Sequence, residues 1–322
     1  MSGPSSSHAD DLPGRRCPAC AAGGLSAAFT APDLREGTGT SAVYLRCPGC
    51  GTLLLDGGPG AEAMSRAYQS GEIDPVGPLV RPPEPGPVRR LLRVLSLLTT
   101  GRKHSLPHGA GRGRSLLDVG CLGGDKLLDF SRRGFRVAGV DLNRAAIARA
   151  RLLLPEGTFH EGPLETLPAG PGFDFIRCDN VLEHVPEPLP LLQQMRARLA
   201  PGGRLYLYVP SGESLSVRLL RGHSANVWVP WHLQLFSRAG LGQLLRRAGF
   251  AEAAVTPFTP LSWWELSARQ LVAAPGAFRR EPGPVEQAAI LAARALTPAW
   301  IALGHTRLGE EWVVEAGSAE GG

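Results

Sequence analysis

The sequence predicts an α/β protein with a mostly parallel sheet, preceded by a small cysteine-rich module. Three observations lead there. Leu116, Leu117 and Val119 form a short apolar run bounded by glycine, as a strand covered on both faces should. A second run, residues 136–140, ends on an acid, Asp141. Two Cys-x-x-Cys pairs, Cys17 with Cys20 and Cys47 with Cys50, stand ahead of both. The chain has 322 residues, 43% of them hydrophobic, enough for one α/β core plus a small module.

The first 14 residues lack a basic flank and an apolar core, so they read as a disordered lead-in and not as a secretory leader. Residues 15–70 form the cysteine module. Each Cys-x-x-Cys closes on a tight turn, and residues 42–46 between the pairs read as a strand. Four thiolates in this spacing suit one tetrahedral structural zinc, as in a zinc ribbon, with no open position for catalysis. The competing assignment, two disulfides or free thiols, is disfavoured by the expected reducing cytoplasmic location. Cys121 and Cys178 sit in turn and strand contexts, where cysteine serves as a packing residue.

Residues 71–87 are rich in proline and glycine and read as an extended linker. Residues 88–98 carry Val88, Leu91, Leu92, Leu95 and Leu98 at helical spacing, and open a domain expected to run to residue 316, with a disordered tail over 317–322. The first core strand leads into the turn Gly120-Cys-Leu-Gly-Gly124. The helix after it is predicted over 126–133, from Leu127, Leu128 and Phe130. Residues 173–179 form the fourth core strand and residues 189–199 a helix, which Ala200-Pro-Gly-Gly203 should end. A fifth strand follows over 204–210. Further on, residues 254–256 read as a strand, 285–296 as a helix, and 312–315 as a last strand pairing antiparallel.

The turn discriminates between cofactors. A dinucleotide site wants Gly-x-Gly-x-x-Gly facing a pyrophosphate. Here Leu122 occupies the place of the second glycine and the third comes too early. Leu117-Asp-Val-Gly-Cys-Leu-Gly-Gly124 instead resembles the first motif of class I S-adenosylmethionine-dependent methyltransferases, usually Asp-x-Gly-x-Gly-x-Gly. Asp118, Gly120 and Gly124 match it, and Leu122 departs from it. Phe173-Asp-Phe-Ile, Val181-Leu-Glu-His-Val-Pro186, Leu199-Ala-Pro-Gly-Gly203 and His232-Leu-Gln-Leu-Phe-Ser237 are similar to later motifs of the small-molecule members. The resemblance covers about residues 115–257. The cysteine module with Arg46, Gly51 and Tyr68 resembles the opening of bacterial enzymes that methylate sugars and secondary metabolites.

The resemblance implies a Rossmann-like class I methyltransferase sheet, mostly parallel with one antiparallel strand, and S-adenosylmethionine as cofactor. It implies cofactor contacts from Asp118, Gly120, Cys121, Gly123 and Gly124, and from Asp141 and Leu142. Asp141 would hold the ribose, Asp118 would orient the glycine turn, Glu165 would lie near adenine, and Asp179 and Asn180 beside the transferred methyl. His184 and His232 are the candidate bases, since imidazole titrates near neutral pH. Both also suit structural roles, and Trp228 and Trp231 fit either an acceptor pocket or the core.

The expected acceptor is a small molecule, through a hydroxyl or carbon. Asp179-Asn-Val-Leu182 lacks the Pro-Pro signature of amino-methylating enzymes. The net charge of +5 comes with only two lysines, Lys103 and Lys126, and no basic patch interleaved with aromatics, which argues against nucleic acid. No apolar run approaches the ~20 residues that span a bilayer. A non-catalytic binding protein and a dinucleotide-dependent oxidoreductase are the rival classes.

Overall fold

The computed structural model describes residues 15–70, 111, 113–276, 281–303 and 308–317. The expected lead-in, the linker over 71–87, the helix over 88–98 and nearly all of the tail lie outside the described residues; Gly317 ends the last strand.

The cysteine module carries three antiparallel strands, β1 (Ser26–Pro32), β2 (Ser41–Arg46) and β3 (Leu53–Leu55), and a helix, α1 (Ala61–Ser70). Leu53, Leu54 and Leu55 are all buried, because this short strand has packing partners on both faces.

The main sheet is built from β4 (Ser115–Val119), β5 (Arg136–Asp141), β6 (Thr158–Glu161), β7 (Phe173–Asp179) and β8 (Leu199–Pro210), all parallel. Helices α2 (Asp125–Arg132), α3 (Arg144–Leu153) and α4 (Pro188–Ala197) cross between them. Asn143 caps α3, its Oδ1 accepting the Ala146 N–H at 2.9 Å. After β8 come α5 (Leu215–Leu220), β9 (Gln234–Leu235), α6 (Arg238–Arg247), β10 (Glu252–Phe258), α7 (Leu261–Val272), α8 (Pro284–Leu303) and β11 (Glu311–Gly317). The seven-stranded order is β10-β11-β8-β7-β4-β5-β6, with β11 antiparallel to both neighbours. Leu116, Leu117, Ile176, Leu205 and Leu207 are fully buried, as expected for strands covered on both faces.

Two expectations need correction. Residues 200–203 do not stand between helix and strand: α4 ends at Ala197, Arg198 closes it, and β8 already begins at Leu199. The pairing Phe173↔Leu199 followed by Phe175↔Arg204 absorbs these residues as an irregularity in the β7–β8 ladder. The helix expected over 285–296 is longer, Pro284–Leu303.

β9 is not part of the main sheet. It pairs antiparallel with β3, Leu53↔Leu235 and Leu54↔Gln234, and completes the four-stranded sheet of the cysteine module. Further bonds fasten the module down. Ser237 Oγ donates to the Cys50 carbonyl at 2.5 Å, and Arg247 Nη1 donates to the carbonyls of Pro18 and Ala19 at 2.7 and 2.8 Å. Tyr44 on β2 donates its hydroxyl to the His232 carbonyl at 2.7 Å.

Candidate functional site

The carboxyl edge of β4, β5 and β7 gathers the expected cofactor residues. Gly120 follows β4 with φ +77°, and a Cβ there would come within 2.4 Å of Val181 Cγ2, so only glycine fits. At Gly123 a Cβ would meet Arg149 Nη1 at 2.2 Å. Arg149 is held in place by a bidentate pair with Asp125, at 2.6 and 2.7 Å. Leu122, between them, adopts φ +49°, a left-handed conformation that glycine reaches without a Cβ penalty. Leucine thus takes a left-handed conformation at the position where the resembled motif usually has its second glycine. Cys121 is buried and its Sγ packs against Gly139 on β5, a packing role.

Asp141 ends β5 and is largely buried. Its Oδ2 accepts the Leu122 N–H at 2.8 Å and its Oδ1 the Asn143 N–H at 2.9 Å. Burial raises its pKa above the usual carboxylate range, against the pull of those N–H groups. Each oxygen has two lone pairs. The Leu142 N–H acts on the carboxylate as well, so backbone donors take up much of its acceptor capacity and part of it remains for a hydroxyl. Leu142, half-buried, follows directly.

Asp118 and Asp179 take roles that the sequence did not suggest. Arg177, on β7 and directly opposite Asp118 in the β4–β7 register, lies buried between them. Its Nη1 donates to both oxygens of Asp118, at 2.9 and 3.0 Å, and its Nη2 donates to Asp179 Oδ2. Lys126 Nζ reaches the same Asp179 oxygen at 2.6 Å, and Asn180 Nδ2 donates to Asp179 Oδ1 at 3.1 Å. Burial opposes charge on Arg177, but the two carboxylates outweigh it and hold the guanidinium protonated. The expected orienting contact between Asp118 and the glycine turn is therefore replaced by this charge cluster, which braces the strand ends. Asn180 is left-handed, φ +55°, and bends the chain away from β7. Glu165 lies in a turn after β6, where its Oε2 accepts from Gln194 Nε2 at 3.1 Å.

The sequence carries a signal for Arg177: a basic residue in the middle of a strand covered on both faces needs a buried acid beside it. The segment between α5 and α6 then brings the two candidate bases together. His184 and His232 are buried, their ring centroids 4.8 Å apart at 73°. His184 Nδ1 lies 2.9 Å from the Trp231 carbonyl and His232 Nδ1 lies 2.7 Å from the Asn226 carbonyl. A carbonyl only accepts, so each Nδ1 carries the proton and each Nε2 presents a lone pair when the ring is neutral. Burial lowers the His184 pKa to about 4, and that of His232 well below its ordinary value. Both rings are thus neutral at pH 7. Trp228 flanks them edge-on, 5.8 Å from His184 and 5.6 Å from His232, and Tyr68 of α1 meets His184 edge-on at 5.7 Å.

Two groups of side chains have the spacing of metal ligands. In the first, Cys17 Sγ lies 3.7 Å from Cys50 Sγ and Cys20 Sγ lies 3.4 Å from Cys47 Sγ, with all four within 4.8 Å and no disulfide formed. A tetrahedral ion with Zn–S bonds of about 2.3 Å demands sulfurs roughly 3.8 Å apart. The four thiols therefore fit zinc. In the second, Glu183, His184 and His232 also place ligand atoms within 4.8 Å. Here the Arg35 guanidinium acts on both imidazoles and lowers their pKa, and the same charge repels a metal cation.

The strand order, the glycine turn closing β4 and the acid closing β5 together define a class I methyltransferase fold. The methyltransferase domain family matches residues 89–254, just over half of the chain, and the chain belongs to that family. A ubiquinone biosynthesis O-methyltransferase of Alkalilimnicola ehrlichii is 36% identical over 103 residues, 30% of this chain and 42% of the relative. An uncharacterized 37.1 kDa protein in a transposon of Streptomyces fradiae is 33% identical over 159 residues, 46% of each chain. Among solved structures, an amino pentose methyltransferase from Micromonospora echinaspora, with SAM bound, is 37% identical over 29% of this chain and 42% of its own, with a TM-score of 0.28. The chain thus spans less than half the length of the curated relatives named here.

Proposed function

We propose that the chain transfers a methyl group from S-adenosylmethionine to a hydroxyl of a small organic acceptor, using a buried imidazole as base. The observation that carries this is the His184–His232 pair. Both rings are fixed with Nδ1 on a backbone carbonyl, and both leave Nε2 as the basic nitrogen. The family membership supports it, and so do relatives that carry the name O-methyltransferase.

Asp141, with acceptor positions left over, would hold the ribose hydroxyls, and the turn at Gly120, Leu122 and Gly123 would run beside the cofactor. Bound there, the cofactor supplies a methyl carbon already activated on a sulfonium. The protein aligns the reacting oxygen with that carbon, removes its proton, and excludes water. His184 lies four positions past Asn180 and three past Val181, at the mouth of β7, and is the residue that takes the proton. Trp228 and Trp231 wall the acceptor position. The Cys17–Cys20–Cys47–Cys50 set would hold one structural zinc, and small-molecule chemistry would proceed in the cytoplasm. Among the described residues, no helix is long and apolar enough to cross a membrane.

Titration calorimetry with S-adenosylmethionine tests the cofactor assignment. The expected result is one site per chain, weakened at least tenfold by Asp141→Ala. Absence of binding at millimolar cofactor, or tight binding of NAD instead, overturns it. Methyl transfer from labelled cofactor to a panel of catechols and deoxysugars, abolished by His184→Ala with cofactor binding intact, tests the base.

A further inference from the structure

Arg35 lies in the loop between β1 and β2 of the cysteine module, and its guanidinium rests against Trp228. Its Cζ stands 4.7 Å from the centroid of the Trp228 ring, which itself flanks both His184 and His232. Its Nη2 donates to the Ala225 carbonyl at 2.7 Å, and its Nε is buried with no acceptor. Among the described residues no carboxylate lies within ion-pair distance of it. Glu36, its chain neighbour, acts on it only at longer range. Asp33, two residues away and buried, is taken up by its own loop: it accepts from the N–H groups of Glu36 and Thr38, at 2.9 and 3.0 Å, and from the Thr38 hydroxyl at 2.6 Å. The contrast with Arg177, which has a buried acid on each side, is complete.

Two more donors are in the same condition. The indole Nε1 atoms of Trp228 and Trp231 are buried and have no acceptor among the described residues. A buried donor left without an acceptor is costly, and a charged one more so. A water molecule can satisfy an indole N–H, but it does not neutralise a guanidinium. Arg35 is itself half-buried, and a group rich in acceptors and negatively charged would suit these donors together. Planar, forked guanidinium donors match carboxylate and phosphate oxygens in pairs.

We infer that the acceptor of methyl transfer carries an anionic group, a carboxylate or a phosphate, and that Arg35 of the cysteine module receives this group beside the His184–His232 pair. The inference rests on the methyltransferase assignment for the word acceptor, while the anion site itself does not. It gives the cysteine module a direct part in substrate choice, because the loop that carries Arg35 is held by the strands between the two cysteine pairs.

The test reads the guanidinium directly. In the full-length protein, the Arg35 Nε–H resonance is assigned as the one missing in Arg35→Lys and is titrated with sodium acetate and with inorganic phosphate, using sodium chloride at matched ionic strength as control. A saturable shift at millimolar anion, absent with chloride, is expected, and whichever anion binds more tightly names the headgroup. Trp fluorescence of the wild type should follow the same saturation curve, and Arg35→Lys should weaken it at least fivefold with the thermal midpoint kept. No saturable shift with either anion up to about 100 mM, or equal fluorescence titrations in wild type and Arg35→Lys, overturns the inference. Calorimetry with S-adenosylmethionine on the same samples separates the two claims. Loss of cofactor binding with the anion titration intact removes the methyltransferase assignment alone, and the reverse result removes only the anion site.

Discussion

The side chain of Asp141 and the backbone of Leu122 are joined by a hydrogen bond of 2.8 Å, from the Leu122 N–H to Oδ2. The bond links the end of β5 to the turn after β4, so the acid expected to hold a ribose also shapes the loop beside it. Asp141→Ala should therefore do two things at once. It should weaken S-adenosylmethionine at least tenfold by calorimetry, and it should lower the thermal midpoint, because the backbone donors of Leu122, Leu142 and Asn143 lose a charged acceptor. An unchanged midpoint would mean that the turn holds itself.

Leu122 pays for its position in backbone strain. At φ +49° an L-residue with a Cβ is disfavoured by about 1 kcal/mol or more, and glycine is not. Leu122→Gly should hold or raise stability in chemical denaturation, since relief of strain offsets the extra freedom of the unfolded chain. A loss of more than about 1 kcal/mol would show that the half-buried leucine side chain packs usefully.

Arg177 neutralises Asp118 and Asp179 in the interior. Arg177→Met strands the buried Asp118 carboxylate and leaves Asp179 with Lys126 as its remaining cation, and should cost about 3–5 kcal/mol, read as a lower denaturation midpoint. Combined with Asp118→Asn, part of the loss should return, because one stranded charge is gone. A double variant no better than the single one would contradict the pairing.

The buried imidazoles set a pH dependence. The His184 pKa falls from 6.5 unfolded to about 4 folded, chiefly by burial. Between those values the unfolded chain binds more protons than the native one, so stability is full above pH 6.5 and is lost as pH falls toward 4. His232, lowered further, extends the loss to lower pH. The thermal midpoint should drop across this window, and His184→Gln should flatten the drop. A midpoint that stays level from pH 7 to 4.5 would mean that the rings are already charged in the native state.

The cysteine module should carry one zinc per chain by elemental analysis, lost in Cys17→Ser with Cys47→Ser. Because β9 pairs with β3, chelation should disturb more than the module. Protection of the Leu235 amide and the fluorescence of the segment bearing Trp228 and Trp231 should change as well. A metal-free protein with both unaltered would separate the module from the site.

The sequence by itself determined the main core strands β4, β5, β7 and β8, the glycine turn, the acid at position 141, the four cysteines and the two histidines. Each leaves a local mark: a period of two or 3.6, a glycine where φ is positive, a fixed Cys-x-x-Cys step. Only the tertiary structure decided who faces whom. Arg177 meets Asp118 across two strands separated by 53 residues of chain between Val119 and Phe173. β9 leaves the core domain to finish the sheet of the cysteine module, and Arg35 reaches Trp228 from 193 positions away. Such contacts depend on strand register and on how a connecting segment folds back, and neither has a signature in nearby residues. The α4 boundary went astray for the same reason: proline and glycine mark a break in helix, but pairing with β7 turned residues 199–203 into strand.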